Sequence, residues 1–168
     1  MHETPQELTT LQELLDRSYA TAGPHLRSIH TEQRRLSAED LADILRGVVV
    51  LNLATTTDTG QPIVAPVDGL FLRGLFWFGS SKHSLRFKHI RRDPRVSAAY
   101  TQGEEISVLV HGVAHEIDTS SGRHERLHEY CREVYGPSYD EWGYWGNEPF
   151  ARIDPDRMYA IRIDAADT

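Results

Sequence analysis

Residues 79 to 96 read GSSKHSLRFKHIRRDPRV and carry six lysines and arginines against one aspartate, a net of six less one, or +5. The whole chain has 18 basic and 25 acidic residues, so the remainder holds 12 and 24 and is strongly acidic. A concentrated positive stretch in such a chain is a place to hold an anion. Its order suits a phosphate. An apolar strand, then Gly-Ser-Ser-Lys-His-Ser, then a helix leaves backbone N–H groups and a helix N-terminus available to negative charge. The hydroxyls of Ser80, Ser81 and Ser84 can donate to phosphate oxygens, and Lys82 and Arg86, four apart, can point the same way. The plainer reading is a helix with a solvated basic face, and spacing alone does not separate the two.

A second stretch with chemistry is HERLH at 124 to 128, a formal HExxH match. On a helix, His124 and His128 would share a face and ligate zinc, with Glu125 as general base. No histidine follows to supply a third ligand, and Glu148, beyond the helix and an aromatic loop, is a conceivable substitute. Zinc hydrolysis is therefore a remote alternative.

The elements that must position these residues are mostly strands. VVVLNLATTT at 48 to 57 and IVAPV at 63 to 67 flank the turn signal DTGQP and predict a hairpin. LFL at 70 to 72 and LFWF at 75 to 78, separated by Arg73-Gly74, predict a tighter one. A short helix starts near Ser84 and stops at Asp93-Pro94, because proline cannot continue the ladder. VSAAYT at 96 to 101 and ISVLVHGVAHEID at 106 to 118 predict a third hairpin, with Gly112 marking a bulge or bend. A helix from about Arg123 to Val134 stops at Gly136, and RMYAIRI at 157 to 163 is a final strand. Ahead of all this, Leu8, Leu11, Leu14 and Leu15 predict an amphipathic helix ending in a loop at Ala-Gly-Pro, and Ser37 to Asp40 a capping box opening a second helix. The fold class is mainly β with flanking helices (α+β): six to seven antiparallel strands closed into a split β-barrel, which removes exposed edges. The division is a helical N-terminal extension at 1–46 and a barrel domain at 47–168, one structural domain overall.

Composition removes other classes. A pI near 5.7 argues against a nucleic-acid binder. Cys131 is the only cysteine, so no intrachain disulfide and no CxxC metal site can form. The polar, acidic N-terminus is no signal peptide and no apolar run reaches membrane length, which leads to the expectation of a cytoplasmic protein without a membrane partner.

The stretch from residue 46 to 118 resembles the flavin-binding split-barrel superfamily, which includes pyridoxamine 5'-phosphate oxidase and deazaflavin-dependent reductases, with a weaker echo at 151 to 163. The likeness rests on Ala54-Thr55, Gly60, Pro62 and Pro66-Val67 in the first hairpin, the loop and helix after the next strand, and RRDPRVS at 91 to 97. The resemblance implies a homodimer with a flavin-type cofactor between subunits. It implies that Ala65, Pro66 and Val67 lie along the ring edge, and that Ser80, Ser81, Lys82, Ser84 and Arg86 take the phosphate. Family members often have lysine where this chain has Arg86, and a polar amide near the position of His89. Arginine keeps the charge but demands a different geometry, so FMN and the deazaflavin coenzyme F420 both stay open. The implied activity is hydride transfer between that cofactor and a small organic substrate, with no catalytic side chain named. Tyr100, His111 and Trp145 are candidates for the substrate pocket, and the aromatic loop from Tyr139 to Phe150 for its lid. The same barrel can also serve as a non-enzymatic carrier of a flavin, a deazaflavin or haem.

Overall fold

Strand β1 (Val48–Thr56) alternates strictly, with Val49, Leu51, Leu53 and Thr55 buried, so one face belongs to a core. Its partner β2 (Pro62–Leu72) runs in unbroken register from Thr56↔Pro62 to Val48↔Leu70. The two strands expected at 63–67 and 70–72 are thus one, and the barrel has six strands. Asp68-Gly69 reads locally as a turn, but Gly69 answers a packing demand: a Cβ there would stand 2.6 Å from Leu51 Cδ1. Arg73 and Gly74 do form the expected two-residue turn, at φ 62° and 72°, leading into β3 (Leu75–Gly79).

The remaining strands are β4 (Arg95–Gln102), β5 (Ile106–Ile117) and β6 (Phe150–Arg162). The computed structural model describes residues 2–141 and 147–163. Strand order is β1-β2-β3-β6-β5-β4, and β4 returns to β1 through Asn52↔Ala99 to close the barrel. β6 starts at Phe150 rather than 157, because its charged first half, RIDPDR, hides the alternation. Pro155 is accommodated there by a bulge between His111 and Gly112, where any Cβ would collide with the Asp154 carbonyl oxygen.

Helix α1 (Pro5–Ala20) opens with a capping box between Thr4 and Glu7 and inserts Leu11, Leu14 and Leu15 into the core that the barrel fills with Leu51, Phe76 and Phe78. Tyr19 docks its other end, donating to and accepting from the backbone of Ala160, each at 2.9 Å. The following loop contains a short α2 (Pro24–Ile29) and a 3-10 turn at Glu32–Arg34, then α3 (Ala38–Ile44), opened by the expected Ser37–Asp40 capping box. Helix α4 (Leu85–Arg92) follows β3, while α5 (Glu125–Tyr135) and α6 (Ser138–Glu141) cover the outer face of β2 and β3 around Leu70, Leu72 and Trp77. Among the described residues no helix is long and apolar enough to cross a membrane.

Candidate functional site

Where β3 ends, the Gly79↔Phe150 pairing holds the start of the loop 80–84 against the residues that precede β6. The Ser80 N–H donates to the Pro149 carbonyl at 3.3 Å, and the Lys82 N–H to Glu148 Oε2 at 2.6 Å. Within the loop, Ser81 accepts from the N–H groups of His83, at its hydroxyl (3.3 Å), and Ser84, at its carbonyl (2.9 Å). Ser84 is the N-cap of α4, its hydroxyl accepting from the Phe87 N–H. The opposite face of α4 buries Phe87 and Ile90, so the helix seals one end of the barrel.

Between α4 and the inward-facing residues of β1 and β2 lies a cavity of about 270 Å³, lined by Leu53, Thr55, Ala65, Ser84, Arg86 and His89 with Ile63 and Leu85 at its edge. Three of the eight predicted residues, Ala65, Ser84 and Arg86, meet here. Arg86 ties in two more, donating to the Ser80 hydroxyl at 3.2 Å and the Pro66 carbonyl at 2.8 Å. Lys82 and Ser81 stand on the adjoining loop, exposed to solvent. The Val67 side chain instead packs in the barrel interior, so only its backbone adjoins the site.

His89 and Thr55 join the site without having been singled out for it by residue type. Both are buried, and Nδ1 of His89 is 2.9 Å from the Thr55 hydroxyl. Nε2 has no partner among the described residues and stays open to solvent, in a ring that lines the cavity. Thr55 is part of the Ala54-Thr55 pair noted in the sequence; no local signal marks His89 as buried.

The other cations of the basic stretch brace the fold. Arg91 holds Glu116 through two bonds of 2.7 and 2.8 Å and donates to the Lys82 carbonyl at 3.0 Å. Arg92 donates to the Thr56 carbonyl. The side chain and N–H of Arg95 bind Asp93 and hold its carboxyl down to about 2.

HERLH does not assemble as a metal site. His124 precedes α5 as its N-cap and packs edge-on to Trp77, while His128 Nδ1 lies 3.4 Å from the Tyr139 hydroxyl. Burial lowers both imidazole pKa values. Glu148, the candidate third ligand, is on the Lys82 N–H, and among the described residues no three His, Cys, Asp or Glu side chains converge. Tyr100 packs against the barrel core, and exposed His111 bonds Ser97 at 2.8 Å. Trp145 and the centre of the aromatic loop, residues 142–146, lie outside the described residues.

No family model and no curated protein matches the chain. Solved structures do. A FAD-binding protein from Mesorhizobium loti is 25% identical, aligning over 78% of this chain and 98% of its own with a TM-score of 0.60. A putative pyridoxamine 5'-phosphate oxidase from Listeria innocua is 17% identical over 73% and 95%, with a TM-score of 0.55. An F420 reductase is 14% identical over 69% and 93%, with a TM-score of 0.56. With six antiparallel strands closed around one core and α4 sealing the end beside the loop, the chain has the split-barrel fold of the pyridoxamine 5'-phosphate oxidase-like superfamily.

Proposed function

We propose that this protein is an oxidoreductase that binds a flavin-type cofactor, FMN or F420, as a homodimer. The observation that carries the reading is the cavity beneath α4, where Arg86, Ser84, Thr55 and the unpartnered nitrogen of His89 converge beside an anion-accepting loop. The loop already accepts a carboxylate at the Lys82 N–H, so its donor suits an oxyanion. Lys82 and the loop hydroxyls would hold the phosphate. Arg86 would add charge there while keeping the Pro66 carbonyl fixed along the ring edge. When bound, the cofactor supplies the hydride chemistry, and the chain supplies orientation and a sheltered apolar wall of Leu53, Ile63 and Ala65. That two of the similar barrels are a FAD-binding protein and an F420 reductase supports a flavin-type group here.

The test is a fluorescence titration with FMN and separately with F420. Lys82→Ala and Arg86→Ala should each weaken binding of the true cofactor by about 1 to 3 kcal/mol without unfolding the protein. Unchanged affinity in both variants would return the basic stretch to a solvated face. Oxidation of the reduced, bound cofactor by added organic acceptors separates an oxidoreductase from a carrier, which would hold the cofactor without turnover.

A further inference from the structure

From the contact between Glu148 and the Lys82 N–H we infer that Glu148 is a built-in anion which competes with the cofactor phosphate and so sets how strongly, and for how much charge, the loop binds. The inference rests on the cofactor reading above. Of the loop amides described, Ser80, His83 and Ser84 donate to neutral oxygens, and Lys82 alone donates to a charged group, at 2.6 Å. That contact joins residues 66 apart in sequence and follows from the barrel itself. The β3–β6 register runs Trp77↔Arg152, Phe78↔Ala151, Gly79↔Phe150, and the Ser80–Pro149 bond extends it, so residue 148 is delivered to the loop.

One N–H cannot donate fully to a carboxylate and a phosphate at once, and two anions on a single donor repel. A phosphate that takes the Lys82 amide must displace Glu148. The side chain is only half-buried and its release to water is feasible, so the carboxylate acts as a counterweight and not as a plug. Before a ligand arrives it also keeps the loop in the shape an anion needs, with Arg91 holding the Lys82 carbonyl from the other side. A phosphate dianion suffers more from this counterweight than a singly charged diester, and a ligand without phosphate does not feel it.

The experiment compares the parent with Glu148→Gln and Glu148→Asp. Glutamine keeps the size and the acceptor but removes the charge, whereas aspartate keeps the charge but shortens its reach. Each protein is titrated with FMN and F420 and with their phosphate-free counterparts, riboflavin and the bare deazaflavin, while thermal melts verify folding. The expected result is about tenfold tighter binding of the phosphate-bearing cofactor by Glu148→Gln, with Glu148→Asp between it and the parent and no change for the phosphate-free ligands. Equal affinities in all three proteins would overturn the inference and leave the cofactor reading standing. Tighter binding of phosphate-free ligands as well would also overturn it, since the effect would then not act through the phosphate. Absence of binding by every protein would remove the cofactor reading and this inference with it.

Discussion

Arg86 and Arg91 differ by five positions in one helix and do different work. Arg91 is satisfied by Glu116 and by the Lys82 carbonyl, while Arg86 reaches across to β2 and to the start of the loop. A count of positive charges cannot make that distinction, because the partners are supplied by other strands. Cys131 shows the same dependence on surroundings. As the only cysteine it is an obvious candidate for redox chemistry, yet it is fully buried between α5 and the outer face of β2 and β3, and burial pushes its thiol up to about 12. The thiolate is the reactive form and is scarce at such a value. Iodoacetamide at pH 8 should therefore leave the native protein unmodified and label one equivalent in denaturant. Rapid native labelling, followed by mass spectrometry, would mean that α5 opens readily and that Cys131 is available after all.

At the scale of elements, Glu7 joins three of them. Its carboxylate accepts from the Thr4 N–H at the head of α1, from Arg73 in the β2–β3 turn at 2.7 Å and from Arg126 on α5 at 3.1 Å. Burial raises the Glu7 pKa, but these donors outweigh it and hold the carboxyl below its usual value. A carboxyl lowered on folding stabilises the protein above the unfolded pKa, and the contribution fades as pH falls through the lowered folded one. Glu7→Gln should cost about 1 kcal/mol in urea unfolding at pH 7, and the gap from the parent should close in acid. A gap that persists at low pH would assign the loss to packing. The same elements show what is legible locally. The Arg73-Gly74 turn, the Ser37–Asp40 box, the Asp93-Pro94 stop and the Gly112 bulge are signalled within a few residues, and each is present. Asp68-Gly69 misleads because the demand on Gly69 comes from Leu51 on another strand, and the first half of β6 is masked by its charges. The loop and Arg86 stand out by residue type as a candidate anion site, whereas the Glu148 contact depends on strand register and the burial of His89 on α4 folding over Thr55.

For the whole molecule, the outer face of β1 and β2 carries the exposed valines that the proposed homodimer would cover. Val50 and Val64 are 54% and 63% exposed, with Pro66 exposed between them, and the register sets this face beside Ala99 and Ser97 of β4. The cavity edge adds exposed Ile63 and Leu85, and its volume of about 270 Å³ sits below the roughly 300–1,000 Å³ typical of sites for drug-sized ligands. The exposed valines, set among polar Asn52 and Asp68, and on the other side of the sheet a small cavity open at Ile63 and Leu85, are what the proposed second copy would cover and complete. Light scattering should accordingly give a mass of two chains of 19.1 kDa for the parent. Val50→Glu and Val64→Glu place charges on the outer face, away from the Arg86 side of the sheet, and should shift the protein to monomer while retaining the far-ultraviolet dichroism of the parent. Cofactor affinity should fall with the dimer, although no residue beneath α4 has changed. Dimer loss with full affinity would confine the site to one chain, and a monomeric parent would overturn the homodimer.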